Sequence, residues 1–120
     1  SFVEARNRIY NLYKSLIKNS YWKPTDYPDR FVSLLGYPVI SPQRERIVQE
    51  LIANGVECRP LIAGSMGNQP FWIKRYGRVS LPNADIVDKY GLYVPCHPFL
   101  KEEDIELVAN IVNEYTCHGK

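Results

Sequence analysis

Both ends of the chain carry apolar residues at every third or fourth position, and this periodicity limits the folds open to it more than any other feature. Phe2, Ala5, Ile9, Leu12, Tyr13, Leu16 and Ile17 mark one face of an amphipathic helix running to about Lys18. Ile105, Val108, Val112 and Tyr115 mark a second, with Glu102, Glu103 and Asp104 in its first turn, where the helix dipole favours acid. Each striped face has to be buried against another element.

The middle of the chain predicts short elements. After the Pro- and Tyr-rich "YWKPTDYPDR", the branched and aromatic "FVSLLGYPVI" reads as a strand. Ser41-Pro42 predicts a helix start, with serine as cap and proline in the first position. Ile47, Val48, Leu51 and Ile52 line one face of that helix, and Asn54-Gly55 closes it. "VECRP" is a short strand ended by a proline that cannot donate to a ladder. "FWIKRYG" forms a brief helical turn, "NADIVDKYG" a short helix stopped by Gly91, and "LYVPC" a third strand. The expected fold is α+β: a small three-stranded, mainly antiparallel sheet with helices packed on one face.

At 120 residues the chain is the size of one domain. It begins with no methionine and with only Ser1 as a cap, the start expected of a cut inside a longer protein. A net charge of +2 is too small to argue for nucleic acid or a membrane. No apolar run nears the roughly 20 residues of a membrane span, and the N-terminus lacks a signal-peptide core. These features fit a soluble, cytoplasmic protein. Cys58, Cys96 and Cys117 show no metal-site spacing, and Cys96-His97 and Cys117-His118 are neighbours that rarely point at one ion, so no metal is expected.

Chemistry concentrates in "CRPLIAGSMGNQP", residues 58 to 70. Gly64 and Gly67 strip side chains from the backbone around Ser65 and Met66, which lets a ligand approach main chain, although a tight turn would use glycine for its dihedrals alone. Arg59 is a fixed cation suited to a carboxylate or phosphate. Asn68 and Gln69 supply amides, and Phe71 and Trp72 supply flat walls. That combination suits a sugar or nucleotide. His97 reads as a rim or core histidine rather than a base. Lys74, Arg75 and Arg78 beside Trp72 and Tyr76 have the composition of an aromatic and basic nucleic-acid surface, and "GSMG" matches the bare GxxG of KH domains. A KH loop joins two helices, so topology decides that reading; a solvated charged turn is the simpler account.

Together, "GVECRPLIAGSMGNQPFW", "LPNADIVDKYG" and "YVPCHPFLKEEDIELVANIVNE" resemble the C-terminal portion of the DegT/StrS family of nucleotide-sugar aminotransferases and related dehydratases. The resemblance covers nearly the whole chain. It implies the C-terminal small domain of the aspartate-aminotransferase fold, with residues 1–18 as the entry helix from a large domain. "RPLIAGSMGNQP" looks like the branch of ketosugar 3-dehydratases, which use pyridoxal phosphate (PLP) with glutamate in deoxysugar biosynthesis of the O-antigen type. Lys101 stands where the family has a helix-capping threonine.

Family membership would imply several further things. PLP, the electron sink, is bound mainly by the large domain, since none of Lys14, Lys18, Lys23, Lys74, Lys89, Lys101 or Lys120 sits in the context of the cofactor lysine. The substrate would be a nucleotide-linked 4-keto-6-deoxy sugar, the intact enzyme a homodimer, and the small domain inactive alone, with no catalytic residue. Arg59, Ser65, Met66, Asn68 and Gln69 are carried as substrate-binding positions. The alternatives are an aminotransferase of the perosamine-synthase type and a KH-like RNA-binding module. Surface covered by the missing part would be exposed in the Phe2 to Ile17 helix or at Phe71-Trp72.

Overall fold

A computed structural model describes all residues except 19, 21, 62 and 118–120. Its elements in chain order are α1 (Phe2–Leu16), β1 (Gly36–Ile40), α2 (Arg44–Ala53), β2 (Arg59–Pro60), a 3-10 turn (Met66–Asn68), α3 (Pro70–Tyr76), α4 (Pro82–Tyr90), β3 (Gly91–Pro95) and α5 (Glu102–Cys117). The three strands form one antiparallel sheet in the order β1-β3-β2. β3 is central, with Tyr37 opposite Val94, Val39 opposite Leu92, and Arg59 opposite Tyr93. Pro38 and Pro60 both lie on edge strands, where a missing N–H breaks no ladder.

Alternation puts Tyr37, Val39, Leu92 and Val94 on one buried face. Ile9 and Tyr13 of α1, Ile47 and Leu51 of α2, and Ile105 and Val112 of α5 close over it, and none of these side chains is exposed to solvent. α1 and α2 both pack on α5. Asn113 of α5 also ends α1: its amide donates to the Leu16 carbonyl at 2.7 Å and its oxygen accepts the Lys18 N–H at 2.8 Å. Ser1 begins α1 with a capping box shared with Glu4.

Three expected boundaries move. The strand predicted over "FVSLLGYPVI" starts only at Gly36, because β1 pairs with a five-residue β3 that offers residues 31–35 no ladder partner. Leu35 is accordingly 75% exposed. "VECRP" is a strand only at Arg59–Pro60, the two residues that pair with Tyr93 and Leu92. α2 begins at Arg44 rather than at Pro42. The buried Ser41 hydroxyl accepts the Gln43 N–H at 3.2 Å in the preceding turn and sits 3.0 Å from Thr116 Oγ1. Ile52, expected on the buried face of α2, points to solvent.

Cys96 is buried, and desolvation pushes its thiol up to about 11 against the opposing pull of Arg6. Cys58 is half-buried and its thiol is also raised, by burial and then by Glu57. At pH 8 a thiol of pKa 11 is thiolate in about one molecule in a thousand. In a Cys117→Ser background, a disulfide reagent at pH 8 should therefore titrate Cys58 slowly and Cys96 only after denaturant is added. Rapid release of two equivalents from the native protein would contradict this packing.

Candidate functional site

A recess of about 610 Å³ opens between α5, the strand residues leading into β2, and the end of β3. Leu107, Val108 and Pro95 are part of its apolar lining, and its polar groups include Arg59, Tyr93 and His97 together with Asn54 and the carboxylates of Glu57 and Asp104. Arg59 is two-thirds exposed and donates through Nη2 and Nε to Glu57 Oε1 at 2.9 and 3.3 Å. These bonds raise the guanidinium pKa further above its ordinary value. Both partners stand in water, where an ion pair is weak and exchanges readily for an incoming carboxylate or phosphate. His97 is an exposed rim residue.

The glycine bend has a different role from the one its composition predicts. Gly64 has φ +60°, and a side chain there would meet the Asp88 carboxylate. A Cβ on Gly67 would run into the Val79 carbonyl oxygen, and Gly67 in turn accepts the Val79 N–H at 3.4 Å. The close approach is to this domain's own backbone and to α4. Ser65 is fully buried and donates to Asp85 Oδ1 at 2.5 Å, so it offers no surface to a ligand. Asn68 Nδ2 donates to the same oxygen at 3.2 Å, and Gln69 Nε2 donates to the Ala63 carbonyl at 2.7 Å.

Of the five residues expected at the site, Arg59 alone lines the recess, and Met66 is the one other outward-facing side chain, at the tip of the bend. Phe71 is exposed, whereas Trp72 is half-buried against Tyr76, ring centroids 4.6 Å apart. Phe2 and Val3 are exposed as well, as expected for the first helix. The bend leaves β2 and leads into α3, so it lacks the two-helix setting that a KH loop needs.

Asp85 is the residue the sequence reading missed. Its carboxylate gathers Ser65, Asn68 and, through Oδ2, the Leu81 N–H at 3.2 Å. Its one signal was position: an acid in the first turn after Leu81-Pro82, where free amides await an acceptor. Among the described residues no cluster of three metal-ligating side chains exists, and no helix is long and apolar enough to cross a membrane. His118 and the side chain of Cys117 lie outside what is described.

The residues do not make a PLP cradle by themselves. The Arg59 recess contains no lysine. Lys14 is bonded to Asp26, while Lys18, Lys23, Lys74, Lys89 and Lys101 are exposed, and Lys120 lies outside the described residues.

Comparison with known proteins supplies the context. The model of the DegT/DnrJ/EryC1/StrS aminotransferase family matches residues 1–113. The GDP-4-keto-6-deoxy-D-mannose 3-dehydratase of Yersinia pseudotuberculosis is 25% identical over 122 residues, 95% of this chain and 31% of its own. A DegT DnrJ EryC1 StrS aminotransferase from Brucella abortus superposes with a TM-score of 0.80 at 22% identity, over 96% of this chain and 31% of that one. A GDP-4-keto-6-deoxymannose-3-dehydratase with a trapped PLP-glutamate geminal diamine superposes with a TM-score of 0.74 at 21% identity, over 92% and 31%. The chain thus spans about 31% of the length of these relatives.

Proposed function

The chain belongs to the DegT/DnrJ/EryC1/StrS aminotransferase family, and from that premise we propose that it is the C-terminal small domain of a longer PLP- and glutamate-dependent ketosugar 3-dehydratase. Its substrate is a nucleotide-linked 4-keto-6-deoxy sugar, and its cofactor lysine or histidine lies in the large domain. The observation that carries this reading is Arg59, a permanently charged and two-thirds exposed fork on the rim of a largely apolar recess, held there by a solvated glutamate and by Tyr93 beside it. It suits the carboxylate of glutamate or an anionic group of the sugar nucleotide. The 3-dehydratase relative, aligned over 95% of the chain, favours this chemistry. The exposed Phe2, Val3 and Phe71 fit a surface that a large domain or a second subunit covers.

A sugar aminotransferase is the second reading, favoured by the Brucella abortus structure with its TM-score of 0.80. Incubating the intact enzyme with PLP, glutamate and a 4-keto-6-deoxy sugar nucleotide separates the two. The expected product has lost its C3 hydroxyl; a 4-amino sugar with C3 untouched decides for transamination. Arg59→Ala should raise KM for glutamate about tenfold or more, one charge-assisted fork being worth at least that. An unchanged KM for both substrates would remove Arg59 from the site.

A further inference from the structure

Asn68 was expected to read ligand hydroxyls, yet both ends of its amide are occupied inside the domain. Its nitrogen donates to Asp85 at 3.2 Å, and its oxygen accepts from Arg78 Nη1 at 3.0 Å. The three residues form a relay in which a carboxylate already fixed by Ser65 and Leu81 sets the amide, and the amide sets the guanidinium. Arg78 is exposed. Its partner in this relay is a neutral oxygen, so the bond orients the side chain without cancelling its charge. No ion pair among the described residues involves Arg78, Lys74 or Arg75.

Lys74 and Arg75 have a structural explanation, since they lie in the last turn of α3, where the dipole favours cations. Arg78 lies beyond the end of the helix at Gly77, so the dipole does not account for it. An arginine that merely keeps a turn in water gains nothing from being held; one that binds an anion loses less freedom on binding if it is held beforehand. Two cations within four residues add to the field around it.

We infer that Arg78, oriented by Asn68 and Asp85 and following Lys74 and Arg75 in sequence, is an anchor for the phosphoryl groups of a nucleotide-linked ligand. The identity of that ligand rests on the function proposed above; the phosphoryl chemistry does not. This anchor is separate from Arg59, whose recess is lined by none of these residues.

Inorganic pyrophosphate, which carries the phosphates without base or sugar, is the probe. Titrated into the isotope-labelled 120-residue chain, it should shift amide resonances of residues 66–79 saturably. R78A should weaken binding about tenfold and R78K less, because lysine keeps the charge but not the planar fork. N68A, which leaves Arg78 in place but unheld, should weaken it about threefold, as loss of pre-orientation alone requires. R8A, on α1, should bind as the parent does. No saturable shift in the parent, or equal affinity in R78A, overturns the anchor. Oligonucleotides binding more tightly than pyrophosphate, with a salt slope that grows with length, would assign the patch to nucleic acid and overturn it too. Since no sugar chemistry enters the measurement, the dehydratase reading can fail while the anchor stands, and the reverse.

Discussion

Replacing Tyr13 with alanine should remove most of the domain's stability. The side chain is fully buried, its ring lies 5.1 Å from that of Tyr37, and its hydroxyl donates to the Pro95 carbonyl at 2.8 Å. It therefore joins the first helix to the central strand across 82 positions of sequence. Truncating a buried aromatic costs about 3–5 kcal/mol, and leaving a carbonyl without its donor adds about 1–3. A domain of this size has about 5–15 kcal/mol in total. Tyr13→Phe keeps the ring and loses only the bond, so a loss of about 1–2 kcal/mol is expected there. Urea unfolding followed by far-UV circular dichroism measures both. A loss under about 2 kcal/mol in the alanine variant, well below the usual core truncation, would show that α1 lies on this fold as an appendage rather than within its core.

The same helix shows what sequence can and cannot say about the fold. Its stripe of Ile9, Leu12, Tyr13 and Leu16 was legible because a 3.6-residue period repeated over four turns leaves little ambiguity. α5 was legible for the same reason. The edge strands were not. How far a strand extends depends on the length of its partner, and "FVSLLGYPVI" contains nothing that reveals that β3 stops at Pro95. Ile52 shows a related limit: it fits the stripe of α2, yet it is exposed while Ile47 and Leu51 of the same stripe are buried, and the periodicity does not distinguish them.

Charge is easier to read from the sequence than the purpose of a glycine. Arg59 stands out because arginine is permanently ionised, and the fold places it on the rim of a recess. Gly64 and Gly67 correctly announced a close approach, but a missing Cβ does not say what approaches. Here it is Asp88 and the Val79 carbonyl, long-range neighbours that no local pattern names. Asn68 and Gln69 were identified as hydrogen-bonding groups, and they are; their partners lie in the domain, where they brace the bend.

Asp85→Ala should release that bend. The carboxylate accepts three hydrogen bonds in a half-buried position, two from Ser65 and Asn68 and one from the Leu81 N–H at the start of α4. Bonds to a charged acceptor contribute about 1.5–3 kcal/mol each, and they share one group, so a combined loss of about 3–4 kcal/mol is expected. Removing it strands the buried Ser65 hydroxyl and frees Asn68, and with it Arg78. Asp85→Asn is milder, about 1–2 kcal/mol, because one oxygen remains and the Ser65 hydroxyl can turn to accept from the new amide. Hydrogen exchange locates the effect: amides of residues 63–69 and of Leu81 should exchange at least tenfold faster in the alanine variant, while those of α1 and α5 keep most of their protection. If global stability falls and exchange rises evenly across the chain, Asp85 is an ordinary core contact. If neither changes, the bend is held by its glycine packing against Val79 alone. The pattern expected is local because every donor to Asp85 belongs to the bend or to the first turn of α4, and none to the sheet.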